Sequence, residues 1–294
     1  MVMAKVNRPD QSVLVLGASG MIGQAVASYL EGCSYLDVAV SVRKHRLQWA
    51  RTQFNTVVEF PVAPMADSQV EVLFRGYDVI VNCIGITKHA NEIPNESHLK
   101  YVNTTMVSQF SAVARKLGVR LVHISTDCVY TGKAPVGGYD EIDPPDAVDW
   151  YGFSKSCAET VSGQSIVLRT STVGYEVFSS GNLYGWILRN TGARVEGYTN
   201  AFFTGITTLE FSKCLHRVID SSVCDGLFNV ASGRLSKFEF VSLVNNFHGL
   251  GMDIKPCADL VIDRSLCGTK FRNTFGYSPR KLSKDIESLV WRKI

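Results

Sequence analysis

Short apolar runs alternate along the first part of the chain with longer segments whose apolar residues recur every three to four positions. The runs cover residues 13–16, 37–42, 57–62, 78–83, 121–124 and 166–169. Each is too short for a helix and too continuously apolar for a half-exposed strand, so each reads as a buried strand. The helical segments between them start after Gly17 and run to about residue 30, then cover 67–74 and 98–117, and another opens near Tyr151. Strand and helix in alternation predict an α/β chain, a doubly wound parallel sheet with right-handed crossovers.

After Ser171 the rhythm changes. Residues 174–205 are rich in Gly, Ser, Asn and aromatics around one amphipathic helix at 183–189. Further on the pattern predicts a helix at 209–219, a strand at 227–230, a helix at 238–247 opened by Ser236, and a last helix at 282–291. We therefore expect a Rossmann-like cofactor domain at 12–173, with 206–230 returning to it. The rest of 174–294 forms a smaller C-terminal substrate-binding domain. No internal repeat or low-complexity tract occurs.

Composition narrows the partners. The 294 residues are 46% apolar and 19% charged, with a net charge of +3. So small and dispersed a charge argues against nucleic acid and against a membrane surface. Eight cysteines form no CxxC pair and no metal-ligand spacing, and several lie inside apolar runs. That usage fits a reducing compartment and gives no reason to expect a metal. The first eleven residues carry no apolar core like that of a signal peptide, and no apolar run reaches the roughly 18 residues of a membrane span. The expectation is a cytoplasmic protein.

Two stretches carry chemistry. The first apolar run leads at once into Gly17-Ala-Ser19-Gly20-Met21-Ile22-Gly23 and a helix. Strand, glycine turn, helix is the context of a dinucleotide-binding fingerprint. Gly17 permits the tight turn, Gly20 leaves room for a pyrophosphate, and Gly23 lets the helix pack closely. The helix start offers free N–H groups to an anion. The second strand ends in Ser41-Val42-Arg43-Lys44, with no acid to hold ribose hydroxyls. Arg43 and Lys44 instead suit a 2′-phosphate, which favours NADP(H) while leaving NAD(H) open. Asn82-Cys83-Ile84-Gly85 ends the fourth strand with small residues that allow a cofactor across the sheet edge, and Asn103 faces inward on the next helix and needs a partner.

The second stretch runs from Val122 to Lys155. An apolar strand ends in Ser125-Thr126-Asp127, and Tyr151 and Lys155 follow four apart on one helix face. A hydroxyl beside a phenol with an ammonium one turn away can protonate a carbonyl oxygen. The Lys155 charge is expected to lower the phenol from its usual value of about 10.

These motifs resemble the extended short-chain dehydrogenase/reductase superfamily, and within it the dTDP-4-dehydrorhamnose reductase-like group. The resemblance rests on 17–23, Ser125-Thr-Asp-Cys-Val-Tyr130 and Tyr151-Gly-Phe-Ser-Lys155, supported by Leu168-Arg-Thr-Ser171, Gly226-Leu-Phe-Asn-Val-Ala-Ser232 and Ser236-Lys-Phe-Glu-Phe240. It implies that Thr126 orients the carbonyl, Tyr151 donates the proton, and Lys155 partners Tyr151 and holds the ribose. The implied reaction is NADPH-dependent reduction of a 4-keto nucleotide-linked deoxysugar, feeding a surface polysaccharide. An epimerase or dehydratase of the same superfamily is the alternative, although a dehydratase calls for an acidic pair where only Asp127 follows Thr126. A non-catalytic subunit resembling the beta subunit of methionine adenosyltransferase is the other, with a homodimer also allowed. Cys128 departs from the aromatic that such reductases often carry.

The candidate cofactor contacts are Gly17, Ser19, Gly20, Met21, Ile22, Arg43, Lys44, Cys83, Ile84, Gly85, Asn103, Ser125, Tyr151 and Lys155. For the sugar nucleotide they are Lys88, Asp127, Cys128 and Val129, together with Asn182, Arg189 and Arg194 from the loop-rich segment. That segment combines cations for a diphosphate with the flat faces of Tyr175, Tyr184, Trp186, Phe202 and Phe203. Those aromatics could equally form a small core.

Overall fold

The computed structural model describes residues 11–87, 95–133, 138–160 and 165–290. Its first part is a regular alternation: β1 (Gln11–Leu16), α1 (Met21–Leu30), β2 (Leu36–Val42), α2 (Leu47–Gln53), β3 (Thr56–Glu59), α3 (Asp67–Phe74) and β4 (Val79–Asn82). Then come α4 (Glu96–Lys100), α5 (Met106–Leu117), β5 (Arg120–Thr126), α6 (Trp150–Ala158), β6 (Ser165–Thr170) and β7 (Thr172–Val173). The later part holds α7 (Leu183–Arg189), β8 (Arg194–Tyr198), β9 (Ala201–Phe203), β10 (Ile206–Thr207), α8 (Thr208–Ile219), β11 (Gly226–Val230) and β12 (Leu235–Ser236). It ends with α9 (Lys237–His248), β13 (Asp253–Cys257), β14 (Ile262–Asp263) and α10 (Thr269–Phe275).

Seven parallel strands form one sheet in the order β11-β6-β5-β4-β1-β2-β3. Chain order reverses at β1, which pairs with β2 on one side and with β4 on the other, and a crevice opens at the carboxyl ends of strands at such a switch point. Both sheet faces are buried. One carries Val13, Val15, Val40, Val81 and Ile124 under α1 and α8, and the other carries Leu14, Leu16, Ile80 and Leu121 under α3 and α5. That two-sided burial is why the strands read as unbroken apolar runs.

The segment at 96–117 is one helix with a wide turn at Tyr101–Thr105, where Val102 and Asn103 face the interior. The third strand stops at Glu59, short of Val62, because Pro61 follows and Val62 has φ +52, outside extended geometry. The expected helix at 282–291 is instead two short turns, Leu282–Lys284 and Ile286–Val290, broken at Asp285. Asp285 is wholly buried, and its carboxylate accepts from Thr207 Oγ1 at 2.6 Å and Ser288 Oγ at 2.8 Å. Residues 174–205 hold β8 and β9 besides the expected helix. A separate core of Tyr184, Ile187, Phe203, Phe240, Val244 and Leu282 joins α7, β9 and α9 away from the large sheet.

Candidate active site

The glycine turn has the geometry that its sequence requires. Gly17 has φ +82, a conformation that side chains rarely adopt. A Cβ at Gly23 would lie 2.3 Å from the Gly17 carbonyl, so only glycine lets α1 pack this close. At Gly20 the nearest atom to such a Cβ would be 3.5 Å away. Gly20 caps α1 with no side-chain bond, and the first helical turn carries no acid. The N–H groups at this helix start are therefore free of internal competitors, which fits a dinucleotide pyrophosphate. Ser19, Met21 and Ile22 are half-buried beside it. The end of β2 is stitched to the turn: Ser41 Oγ accepts from Gly17 N at 3.3 Å and Ser41 O from Ala18 N at 3.0 Å. Arg43 and Lys44 follow directly and are exposed.

Across the crevice, β5 delivers Thr126 and α6 delivers Tyr151. The Tyr151 phenol is hydrogen-bonded to the Thr126 hydroxyl. Thr126 Oγ1 also accepts from Cys128 N at 3.1 Å and donates to Asp127 Oδ1 at 3.2 Å. Helix α6 is capped by Asp149, whose Oδ1 accepts from Gly152 N at 2.9 Å. A Cβ at Gly152 would lie 2.1 Å from the Cys128 carbonyl, so this glycine sets how near Tyr151 stands to Thr126.

Lys155 sits one turn on from Tyr151, 5% exposed. Its Nζ donates to Ile124 O at 2.5 Å and lies 3.2 Å from His123 Nε2. Burial lowers Lys155 to about 8, opposed by the charges of Glu159 and Cys83. The net shift of Tyr151 is upward, against the expected lowering. Burial pushes the phenol up, Cys128, Asp127 and Asp149 add to the rise, and the Thr126 hydrogen bond opposes it. Lys155 Nζ is turned to the β5 backbone at Ile124 O.

Other candidate residues hold the site together. Asn103 is wholly buried. Its Oδ1 accepts from Ile86 N at 2.9 Å while its Nδ2 donates to Ile86 O at 3.0 Å and Ser154 Oγ at 3.1 Å. It thereby ties the loop after β4, with Cys83, Ile84 and Gly85, to α6. A Cβ at Gly85 would lie 3.5 Å from Asn103 Oδ1 and 3.9 Å from Lys155 Nζ. Ser125 Oγ donates to Glu159 Oε1 at 2.5 Å, and Arg169 grips the same carboxylate at 2.9 and 2.7 Å. Arg169 also donates to Tyr130 OH at 2.6 Å, which in turn donates to the carbonyls of Asp140 and Asp143.

The substrate candidates divide. Asp127 is buried and Cys128 half-buried at the rim beside Thr126. Val129 is wholly buried with Tyr130, Tyr139 and Leu266, and its carbonyl accepts from Asp146 N and Ala147 N, so it shapes the rim from beneath. Lys88 lies outside the described residues. Arg189 and Arg194 are not brought together. Arg189 lines a cavity of about 430 Å³ with Tyr175, Glu176, Phe178 and Leu188, whereas Arg194 is exposed on β8, 3.7 Å from Asp253. Asn182 donates to Glu176 of that lining at 3.3 Å, caps α7 through Gly185 N at 2.8 Å, and reaches Met21 Sδ at 3.5 Å. Tyr184 and Phe203 belong to the small core, Trp186 packs against it, and Phe202 lies under Arg234.

Three site residues carry no motif. His123 and Asn82 are hidden inside apolar strands. Arg264 arrives from the far end of the chain, its Nη1 3.6 Å from Cys128 Sγ and its Nε buried with no partner among the described residues. Among the described residues no cluster of metal-ligating side chains occurs, and no helix is long and apolar enough to cross a membrane.

Sheet order and glycine turn define a Rossmann-like α/β protein. The chain belongs to the NAD dependent epimerase/dehydratase family, whose model matches residues 13–166. It is 27% identical over 188 residues to methionine adenosyltransferase 2 subunit beta of Mus musculus, covering 63% of this chain and 51% of that protein. It is 28% identical over 146 residues to dTDP-4-keto-6-deoxy-D-glucose reductase of Streptomyces niveus, covering 50% and 45%. The chain thus spans about half the length of these curated relatives. Its fold matches the crystal structure of dTDP-4-dehydrorhamnose reductase from Bacillus anthracis in complex with NADP, with TM-score 0.79, 18% identity, and 95% and 98% of the two chains covered. The dTDP-glucose 4,6-dehydratase of the same organism, in complex with NAD, matches with TM-score 0.78 and 17% identity, covering 95% of each chain.

Proposed function

We propose that this protein reduces the 4-keto group of a nucleotide-linked deoxysugar with NADPH, in the synthesis of a surface polysaccharide. The observation that carries the reading is the Thr126–Tyr151 hydrogen bond at the sheet edge, with Lys155 one turn along and the glycine turn across the crevice. Gly17, Gly20 and the start of α1 would hold the pyrophosphate, Gly85 and Lys155 the nicotinamide ribose, and Arg43 with Lys44 the 2′-phosphate. The bound nicotinamide supplies a hydride. Thr126 and Tyr151 hold the keto oxygen, which fixes the carbonyl and stabilises the charge that develops on it. Tyr151 then gives its proton to the alkoxide. Arg189 in its cavity and Arg264 beside Cys128 would hold the diphosphate. The protein is expected to act in the cytoplasm.

The test is NADPH oxidation with a panel of 4-keto sugar nucleotides, the product identified by nuclear magnetic resonance. Reduction at C4 is the expected result. A product epimerised or dehydrated with no net oxidation would assign the epimerase or dehydratase reaction. A second reading, a regulatory subunit, is favoured by the likeness to the methionine adenosyltransferase beta subunit. It requires nucleotide binding with no turnover of any panel member.

A further inference from the structure

Beneath Lys155 lies a line of buried polar groups that the reduction step does not use. Asn82 ends β4, and His123 sits beside it on β5, where the two are register partners. Neither exposes any surface. Asn82 Nδ2 lies 3.1 Å from His123 Nδ1, and His123 Nε2 lies 3.2 Å from Lys155 Nζ.

The hydrogens on this line can be counted. Ile84 N, a backbone donor, points to Asn82 Oδ1 at 3.1 Å, which fixes the amide with its NH₂ toward His123. His123 Nδ1 must then accept. Burial and the neighbouring Lys155 hold His123 well below its ordinary value, so the ring is neutral and carries one proton. That proton sits on Nε2, facing Lys155. An N–H facing an ammonium is two donors opposed, so the contact is a hydrogen bond only when Lys155 is an amine. The other groups around Lys155 are the Ile124 carbonyl, which accepts from Nζ at 2.5 Å whether Lys155 is an amine or an ammonium, and Glu159 and Cys83. Glu159 already accepts both Arg169 donors, and burial pushes the Cys83 thiol up to about 12, so neither gives the ammonium a free anion.

We propose that Asn82 and His123 are positioning residues that fix the protonation of Lys155: Asn82 holds His123 as its Nε2–H tautomer, which donates to Lys155 as an amine and disfavours it as an ammonium. Protonating Lys155 breaks the His123 contact or forces the ring off Asn82. The proton Lys155 can return to Tyr151 after each turnover is therefore held weakly. This last consequence rests on the reductase reading; the tautomer and the lysine titration do not.

The experiment is nuclear magnetic resonance on the whole protein, with ¹⁵N-labelled histidine and ¹³C-labelled lysine. The chain has six histidines, so His123→Phe and Lys155→Met assign the two signals. The expected result is an Nε2–H tautomer for His123 and a Lys155 midpoint no higher than about 8. An Nδ1–H tautomer, or a Lys155 midpoint near the ordinary 10.5, overturns the proposal, and both are read in the parent protein once the two signals are assigned. In Asn82→Asp the carboxylate accepts at Nδ1, the proton moves there, and Nε2 becomes an acceptor for an ammonium. Lys155 should then titrate about one pH unit higher, tenfold in proton affinity. The basic limb of reductase turnover should move up with it. An unmoved lysine titration in folded Asn82→Asp refutes the pair. A moved titration with no turnover in the parent sinks the reductase reading alone.

Discussion

Gly152 gives the clearest test of how the fold sets the site. It is the third residue of α6, one after Tyr151. In most helices Gly→Ala is favourable by about 0.5–1 kcal/mol, because alanine loses less chain entropy. Here the added Cβ would stand 2.1 Å from the Cys128 carbonyl and 2.6 Å from Ala147 Cβ. Neither neighbour can step aside freely. Asp146 N and Ala147 N are bonded to Val129 O at 3.1 and 3.0 Å, and Cys128 N to Thr126 at 3.1 Å. Overpacking of this kind costs about 1–3 kcal/mol and outweighs the entropic gain. A net loss of about 1–2 kcal/mol would lower Tm by roughly 2–8 °C at about 2–4 °C per kcal/mol. Thermal unfolding followed by circular dichroism measures it, and the same displacement should part Tyr151 from Thr126 and reduce turnover. If Gly152→Ala melts at or above the parent temperature, the close approach of α6 to the turn after β5 is not a constraint.

Other substitutions separate the roles of individual residues. Tyr151→Phe should lower turnover by about two to four decades with cofactor binding nearly unchanged, as for loss of a general acid; parent-like turnover would remove Tyr151 from that role. Glu159→Gln leaves the 2% exposed Arg169 without its anion, and chemical denaturation should show a loss of about 3–5 kcal/mol. Arg43→Ala should weaken NADPH binding by about one to two decades, a charge-assisted bond being worth about 1.5–3 kcal/mol, and weaken NADH less; equal effects would mean that Arg43 does not read the phosphate. Arg189→Ala should raise KM for the sugar nucleotide about tenfold, about 1.4 kcal/mol, while Arg194→Ala, already paired with Asp253, should leave it unchanged.

The sheet was readable because both its faces are buried, so β1, β2, β4, β5 and β6 are continuous apolar runs. Helices α3 and α7 matched to the residue, since their apolar spacing and the residues flanking them agree. The expected last helix failed because its apolar spacing ignored Asp285, whose buried bond to Thr207 breaks it. Around the site, residues announced by local motifs could be named, including Thr126, Tyr151 and Lys155. The direction of Lys155 could not, because it depends on His123 and the Ile124 carbonyl across the sheet. His123 and Asn82 sit inside strands where neighbouring apolar residues mask them. Arg264 reaches Cys128 from 136 positions along the chain, a separation no local pattern carries.

The central claim is net hydride transfer to a sugar carbon with Tyr151 as the acid. Its most direct test uses NADPH deuterated at C4 of the nicotinamide, a 4-keto-6-deoxy sugar nucleotide, and nuclear magnetic resonance of the product. The account predicts one deuterium at the sugar C4 for each NADPH oxidised, and near-complete loss of that transfer in Tyr151→Phe. Label retained in the cofactor, or transfer that persists in Tyr151→Phe, would contradict it.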